Sequence, residues 1–431
     1  MSLKSLLVAH TMEYFLSRKR LLTKRVKAER LRGREQRRHQ LHYFHQLDDP
    51  YSALMAQILP ALLARYDVDL QLHVVGAPTD SAAPERARLM AYSLKDARLL
   101  ADYFGLDFGA VQPDAQALAL AGRILVGAPE DNAIPALLAA VTQALWRSPQ
   151  QLQQFVTPEL PSQTAAEQVM AQADSLRTRL GHYLGGMLFY EGEWYWSLDR
   201  LHYLEQRLHD LQATRPGVQG LLFPPPQHER ASAFCTSPPA IEFFFSLRSP
   251  YSAIAAARVM ELARISGAEL KLRYVLPMVM RGLPVPLVKR LYIIADVARE
   301  AHRLAIPFGR LCDPVGLPTE RGLAVMPYAK EQGREQQWVL AFLDAVWSQG
   351  IDAGTDAGLK HIARQAGLDW PGVKAALQQT EWRQIAEDNR AAMFALGLWG
   401  VPSFRVGDVA VWGQDRLWVV EQQLQQVGCH A

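Results

Sequence analysis

Glu242-Phe243-Phe244-Phe245-Ser246-Leu247-Arg248-Ser249-Pro250-Tyr251-Ser252-Ala253 is the stretch on which the fold turns. Its apolar run predicts a buried strand, residues 246–249 predict a turn, and Pro250 predicts the first residue of an Ala-rich helix, where a missing N–H costs nothing. Two hundred residues earlier, His42-Tyr43-Phe44-His45-Gln46-Leu47-Asp48-Asp49-Pro50-Tyr51-Ser52-Ala53 repeats the pattern down to Pro-Tyr-Ser-Ala. A second strand is expected after each helix, at residues 68–75 and 269–276.

The far ends of the two segments match as well. Gly185-Gly186-Met187-Leu188-Phe189-Tyr190-Glu191-Gly192 lies over Gly400-Val401-Pro402-Ser403-Phe404-Arg405-Val406-Gly407. Trp196-Ser197-Leu198-Asp199-Arg200-Leu201 lies over Trp412-Gly413-Gln414-Asp415-Arg416-Leu417. Read this way, the spacing changes by one residue at the hairpin turn and Met187 is the counterpart of Pro402. Both runs close in Glu-Gln-x-Leu, at residues 205–208 and 421–424. Matching beginnings and ends in the same order read as a duplication. Between the copies, residues 213–239 hold Pro216, Pro224-Pro225-Pro226 and Pro238-Pro239 and read as a linker.

Each copy thus predicts β-α-β, a long helical section, a β-hairpin and a final helix. The expected fold is α/β: two tandem thioredoxin-like domains, residues 41–212 and 240–431, each with a helical insertion. The insertion of the second spans roughly residues 285–395.

Residues 1–40 stand apart. They carry 12 Lys+Arg and 3 Asp+Glu, whereas the remaining residues carry 34 and 40, so a net charge of +3 conceals a basic arm on an acidic body. The arm lacks Pro and reads as one helix, with Leu6, Leu7, Tyr14, Phe15, Leu21, Leu22 and Leu31 as its apolar stripe. Docking on the body, peripheral contact with an anionic membrane, and pairing with a partner stay open. Nucleic acid is not expected, because no aromatics interleave with the basic run.

Hydrophobic residues at 49% exclude a wholly disordered chain. No run of 18 apolar residues predicts a membrane span, and the apolar stretch at residues 5–9 is too short for a secretory signal. Cys235, Cys312 and Cys429 lie far apart, with no C-x-x-C and no metal-ligand spacing. This excludes dithiol exchange by a paired-cysteine site and leads to the expectation of a cytoplasmic protein without metal.

Ser249-Pro250-Tyr251-Ser252, Gly400-Val401-Pro402-Ser403-Phe404 and Trp412-Gly413-Gln414-Asp415-Arg416 together resemble the kappa-class glutathione transferase and 2-hydroxychromene-2-carboxylate isomerase branch of the DsbA-like thioredoxin superfamily. The resemblance covers nearly all of residues 240–428 and extends more distantly to residues 41–212. It implies that Ser249 replaces the thioredoxin-type cysteine and hydrogen-bonds the sulfur of glutathione. A helix N-terminus favours a thiolate there, although a serine in that place is also an ordinary cap. The resemblance further implies a cis peptide at Val401-Pro402, beside which an extended peptide can lie; a plain turn proline is the alternative. Asp415 would hold the γ-glutamyl amine, or simply open the last helix. Arg416 would meet a carboxylate or the protein surface.

Lys289, Tyr292, Asp296, Arg299 and Arg303 recur at helical spacing within one stripe, with Ile293, Ile294, Val297 and Leu304 elsewhere on the helix and expected to bury. Lys289 and Tyr292 match the family's Lys-x-x-Tyr, whose lysine approaches glutathione; a solvated charged face is the alternative. The implied set is therefore Ser249 and Lys289 as catalytic residues, with Arg248, Tyr251, Tyr292, Val401, Pro402, Gln414, Asp415 and Arg416 binding glutathione or substrate. Ser246 and Gly282-Leu283 depart from the family, which often carries an aspartate and an asparagine there. Arg248 adds a cation beside Ser249.

In the first copy Asp49 stands for Ser249 and Met187 for Pro402, which reads as a degenerate site. An intrachain pseudo-dimer of the two copies and a homo-oligomer both stay open. The leading reading is a glutathione-dependent transferase or isomerase of an aromatic or unsaturated small molecule. A non-catalytic adaptor and a single-cysteine redox protein using Cys312 are the alternatives.

Overall fold

The computed structural model describes residues 3–109, 111–129, 133–226 and 239–426, with side chains from residue 9 onward. Cys235 and Cys429 lie outside the described residues. The chain divides into two compact units, Thr23–Pro225 and Met1–Leu22 with Pro226–Ala431.

The arm is two helices rather than one: α1 (Leu3–Leu16) and α2 (Arg18–Arg34). Ser17 makes the break. Its Oγ donates to the Tyr14 carbonyl at 2.8 Å and accepts from the Arg20 N–H at 3.3 Å, closing one helix and capping the next. The expected apolar stripe does not dock as a stripe. Ala9 is buried and the Leu16 carbonyl accepts from His302 Nε2 at 3.0 Å, but Tyr14, Phe15, Leu22 and Leu31 are exposed. Arg20 covers Phe15 instead, 3.5 Å from its ring centroid.

The first unit runs β1 (Gln40–Gln46), α3 (Pro50–Arg65), β2 (Asp69–Val75), α4 (Arg86–Phe104), α5 (Ala115–Val126), α6 (Ile134–Arg147), α7 (Gln163–Arg179), β3 (Met187–Tyr190), β4 (Glu193–Trp196) and α8 (Ser197–Asp210). Its sheet has the order β2-β1-β3-β4, with β1 and β2 parallel and the other pairs antiparallel.

The second unit runs β5 (Ile241–Phe245), α9 (Pro250–Ser266), β6 (Leu270–Tyr274) and α10 (Leu287–Arg303). The helices α11 (Leu317–Ala324), α12 (Met326–Glu331), α13 (Glu335–Trp347), α14 (Asp356–Ala366), α15 (Trp370–Ala376) and α16 (Trp382–Ala395) follow, then β7 (Ser403–Val406), β8 (Val409–Trp412) and α17 (Leu417–Gln426). The sheet order is β6-β5-β7-β8 with the same pairing directions. Phe243, Phe244 and Phe245 are all buried, as a central strand covered on both faces requires.

Strand register corrects the sequence alignment. Phe44 pairs with Met187 and Phe244 with Ser403. Met187 is therefore the counterpart of Ser403, and Gly186 is the counterpart of Pro402. The next bonds agree: Ser197 N–H donates to the Gly186 carbonyl (2.9 Å) and Gly413 N–H to the Pro402 carbonyl (2.8 Å). Glu193 pairs with Tyr190 and Val409 with Val406, so the two turns have equal length and nothing is inserted. A one-residue slip would have turned every side chain of β3 to the opposite face.

The polar stripe of α10 points inward except at its last residue, Arg303, which is exposed. Lys289, Asp296 and Glu300 are buried, and Arg299 is mostly so. Leu287 and Leu291 flank Lys289 with about 60% of their surface in water (61% and 60%). Of the residues expected to bury, Val297 does, while Ile293, Ile294 and Leu304 are half-buried.

Candidate functional site at the start of α9

Ser249 occupies the N-cap of α9, with Pro250 next in the first turn. Its Oγ accepts from the Ser252 N–H at 3.2 Å and donates to the Val401 carbonyl at 3.3 Å. The Val401-Pro402 peptide is cis, as expected. Ser252, fully buried, accepts from the Ser246 N–H, and Ser246 Oγ accepts from the Arg248 N–H. The turn is thus fixed by serine hydroxyls from both sides.

Lys289 approaches the same loop. Its ammonium lies 5.2 Å from the centroid of the Trp399 ring, and Trp399 packs edge-on against Trp412 at 5.2 Å. Gly400 lies between them, and a Cβ there would meet the Trp412 indole at 3.0 Å. Burial pulls the Lys289 ammonium down to about 8. The Trp399 Nε1 is buried without a hydrogen-bond partner among the described residues. An unsatisfied indole donor beside the cis-proline loop is a feature that no motif in the sequence singles out.

The other expected residues divide. Tyr251 donates to Asp296 Oδ2 at 2.8 Å, and Arg299 donates to Asp296 Oδ1 at 2.7 Å, so Tyr251 ties α9 to α10. Tyr292 is half-buried on the same helix. Gln414, buried, accepts from Arg258 at 2.6 Å and donates to Glu300 Oε2 at 3.0 Å. It belongs to an interior network joining α9, α10 and the 414–416 turn. Arg303 completes the Glu300 carboxylate at 2.8 Å. Burial lowers the Arg258 guanidinium from its ordinary value, opposed by Asp415 and Glu300. Gln414, Asp415 and Arg416 form a short 3-10 turn ahead of α17, and Arg416 is buried rather than at the surface.

Arg248 does not stand as a bare cation beside Ser249. It makes a bidentate pair with Asp313, both bonds 2.8 Å. The neighbouring Cys312 thiol is pushed up to about 11 by burial and by the carboxylates of Asp352 and Asp313. A thiol so held stays protonated at neutral pH, which does not favour the redox reading based on it.

The first unit builds the same frame with other chemistry. Tyr51 donates to Asp96 at 2.9 Å as Tyr251 does to Asp296, and Trp146 donates to the Leu47 carbonyl as Trp347 does to Leu247. At the N-cap of α3, however, Asp49 accepts from the Ser52 N–H (2.9 Å) and Ser52 Oγ (2.7 Å). Burial raises its carboxyl to about 6. Leu89 stands 200 residues before Lys289, in the register set by Asp96 and Asp296. Asp199 and Arg200 persist. No group of three or more His, Cys, Asp or Glu among the described residues is placed to hold a metal, and no described helix is long and apolar enough to cross a membrane.

Residues 240–425 match the DSBA-like thioredoxin domain family. The 2-hydroxychromene-2-carboxylate isomerase of Sphingobium xenophagum is 27% identical over 198 residues, 43% of this chain and 97% of that protein. That of Pseudomonas putida is 25% identical over 194 residues, 43% and 93%. Among solved structures, a 2-hydroxychromene-2-carboxylate isomerase aligns at 24% identity and TM-score 0.38 over 44% of this chain and 95% of its own. The cytosolic disulfide reductase DsbM of Pseudomonas aeruginosa aligns at 17% and 0.35 over 43% and 98%. Residues 240–425 are a DsbA-like thioredoxin domain whose homologues include 2-hydroxychromene-2-carboxylate isomerases.

Proposed function

We propose that the C-terminal domain is a glutathione-dependent isomerase or transferase acting on an unsaturated or aromatic small molecule, and that the N-terminal unit is a duplicated copy that has lost this chemistry. The Ser249 hydroxyl carries the reading. Its lone pairs are anchored by the Ser252 N–H, while its one proton rests on a long bond to the Val401 carbonyl. A 3.3 Å O–H···O contact is well beyond the usual distance, so that proton is available to a better acceptor, and a sulfur anion at a helix N-terminus is one.

When bound, the thiol supplies a nucleophile that adds to a conjugated double bond and, in the isomerase version, leaves again after rotation about the bond made single. Ser249 keeps its proton and donates a hydrogen bond through it to the sulfur, which favours the thiolate over the thiol. The backbone of Val401 would pair with the extended peptide, as the resemblance implies. Lys289, charged below about pH 8, offsets the negative charge that the addition moves toward an oxygen of the substrate. The Trp399 Nε1–H is left for an acceptor of the bound molecules.

Titration calorimetry with glutathione is the test. Wild type is expected to bind, with Ser249→Ala weakened about ten-fold or more, as loss of a charge-assisted hydrogen bond would cause. Absence of binding by wild type at millimolar ligand overturns the reading.

A further inference from the structure

Helix α2 is held by its charges and leaves Leu22, Val26 and Leu31 in water. Arg25 pairs bidentately with Glu193 (2.7 and 2.8 Å). Glu29 accepts from the Tyr190 hydroxyl and from Arg32, each at 2.8 Å. The buried Arg207 reaches Glu193 at 3.0 Å from behind. No side chain of α2 is buried. This inverts the usual arrangement, in which a helix turns its apolar stripe to the core and its charges to solvent.

The outward face therefore has an unusual composition. Lys24, Lys27, Arg30 and Arg34 lie on it, with Val26 and Leu31 between them at 50% and 51% exposure. At 100° per residue these six positions span an arc of about 160°. The single acidic residue of α2, Glu29, is on the inner face. Among the described residues, none of these four cations has an ion-pair partner. A row of uncompensated cations interleaved with exposed aliphatic side chains matches one kind of surface: phosphate headgroups over a hydrocarbon boundary.

We propose that this face of α2, residues 24–34, binds an anionic lipid surface, with the four cations on headgroups and Val26 and Leu31 entering the boundary. Nucleic acid fits less well, because the segment offers no aromatic ring on which a base can stack, and the two aliphatic side chains gain nothing from a phosphate backbone.

The test is co-sedimentation of the full chain with vesicles of phosphatidylcholine alone and of phosphatidylcholine mixed with phosphatidylglycerol, at low and high salt. Binding is expected to the mixed vesicles only, and to fall at high salt. Lys27→Ala with Arg30→Ala should weaken it about five-fold per cation removed. Val26→Ala with Leu31→Ala should weaken it without changing the salt dependence. Alanine preserves helix, which far-UV circular dichroism checks; if helix content falls, Lys27→Gln with Arg30→Gln takes its place. Equal binding to neutral vesicles overturns the proposal. So does a double cation variant that binds like wild type, or a single-stranded oligonucleotide bound while mixed vesicles are not.

Discussion

A lysine that is buried at some cost needs a reason to be there, and Lys289 has the cost written into its environment. Burial lowers its ammonium to about 8, against an ordinary value of 10.5. Between those two values the unfolded chain binds a proton that the folded chain does not, so stability rises with pH across the window. Below about pH 8 the whole penalty is present, on the order of 3 kcal/mol. Lys289→Met keeps the aliphatic stem and removes the charge. It should therefore unfold at higher denaturant than wild type at pH 7, with the gap closing above pH 10.5, while glutathione-dependent turnover falls. Denaturant titrations at the two pH values measure this, and a variant less stable than wild type at pH 7 would show that Lys289 supports the fold instead. The sequence placed Lys289 correctly on its helix. It does not say which way the stripe faces, because that is set by tertiary packing, which buries Lys289 and leaves Leu287 and Leu291 in solvent.

Between elements, local chemistry was legible and registration was not. Pro250 and Pro50 marked the helix starts, and each cap closes as those residues dictate. The hairpin strands were read one residue out, because Gly185-Gly186 and Gly400 look alike as letters whereas the ladder is set by what Phe44 and Phe244 can pair with. The arm reads as one helix in sequence because nothing in its composition announces that Ser17 caps α2 with its hydroxyl. Close approach is similarly silent in sequence. Gly322 of α11 lies where a Cβ would stand 2.5 Å from Phe342 and 2.6 Å from Leu247, and its carbonyl accepts from Trp338 Nε1 at 2.9 Å. Gly322→Ala gains helix propensity yet should lose about 1–3 kcal/mol overall, since both neighbours are buried and cannot yield cheaply. A lower urea midpoint with an unchanged slope is the expected result.

Across the whole molecule, the two halves assign one frame to two different charge states. Ser249 and Lys289 give the second half a neutral hydroxyl and a cation; Asp49 and Leu89, 200 residues earlier, give the first an acid and an apolar side chain. A carboxylate at that N-cap repels a thiolate, so binding should saturate at one glutathione per chain, and Ser249→Ala should weaken that one site. Asp49 titrates in the opposite sense to Lys289. Its carboxyl is raised to about 6 from an ordinary 3.8, so between those values the folded chain binds the extra proton and stability falls as pH rises. Above about pH 6 the full penalty remains. Asp49→Asn retains an oxygen for the Ser52 donors and loses the charge, so it should be more stable than wild type at pH 7, by up to about 3 kcal/mol, and equal to it below pH 4. Glutathione affinity of the same variant separates the two halves. If it is unchanged while stability rises, the acid matters only to the unit that holds it. If a second equivalent of glutathione binds once the charge is gone, the first half kept its peptide site and lost only its tolerance for a thiolate.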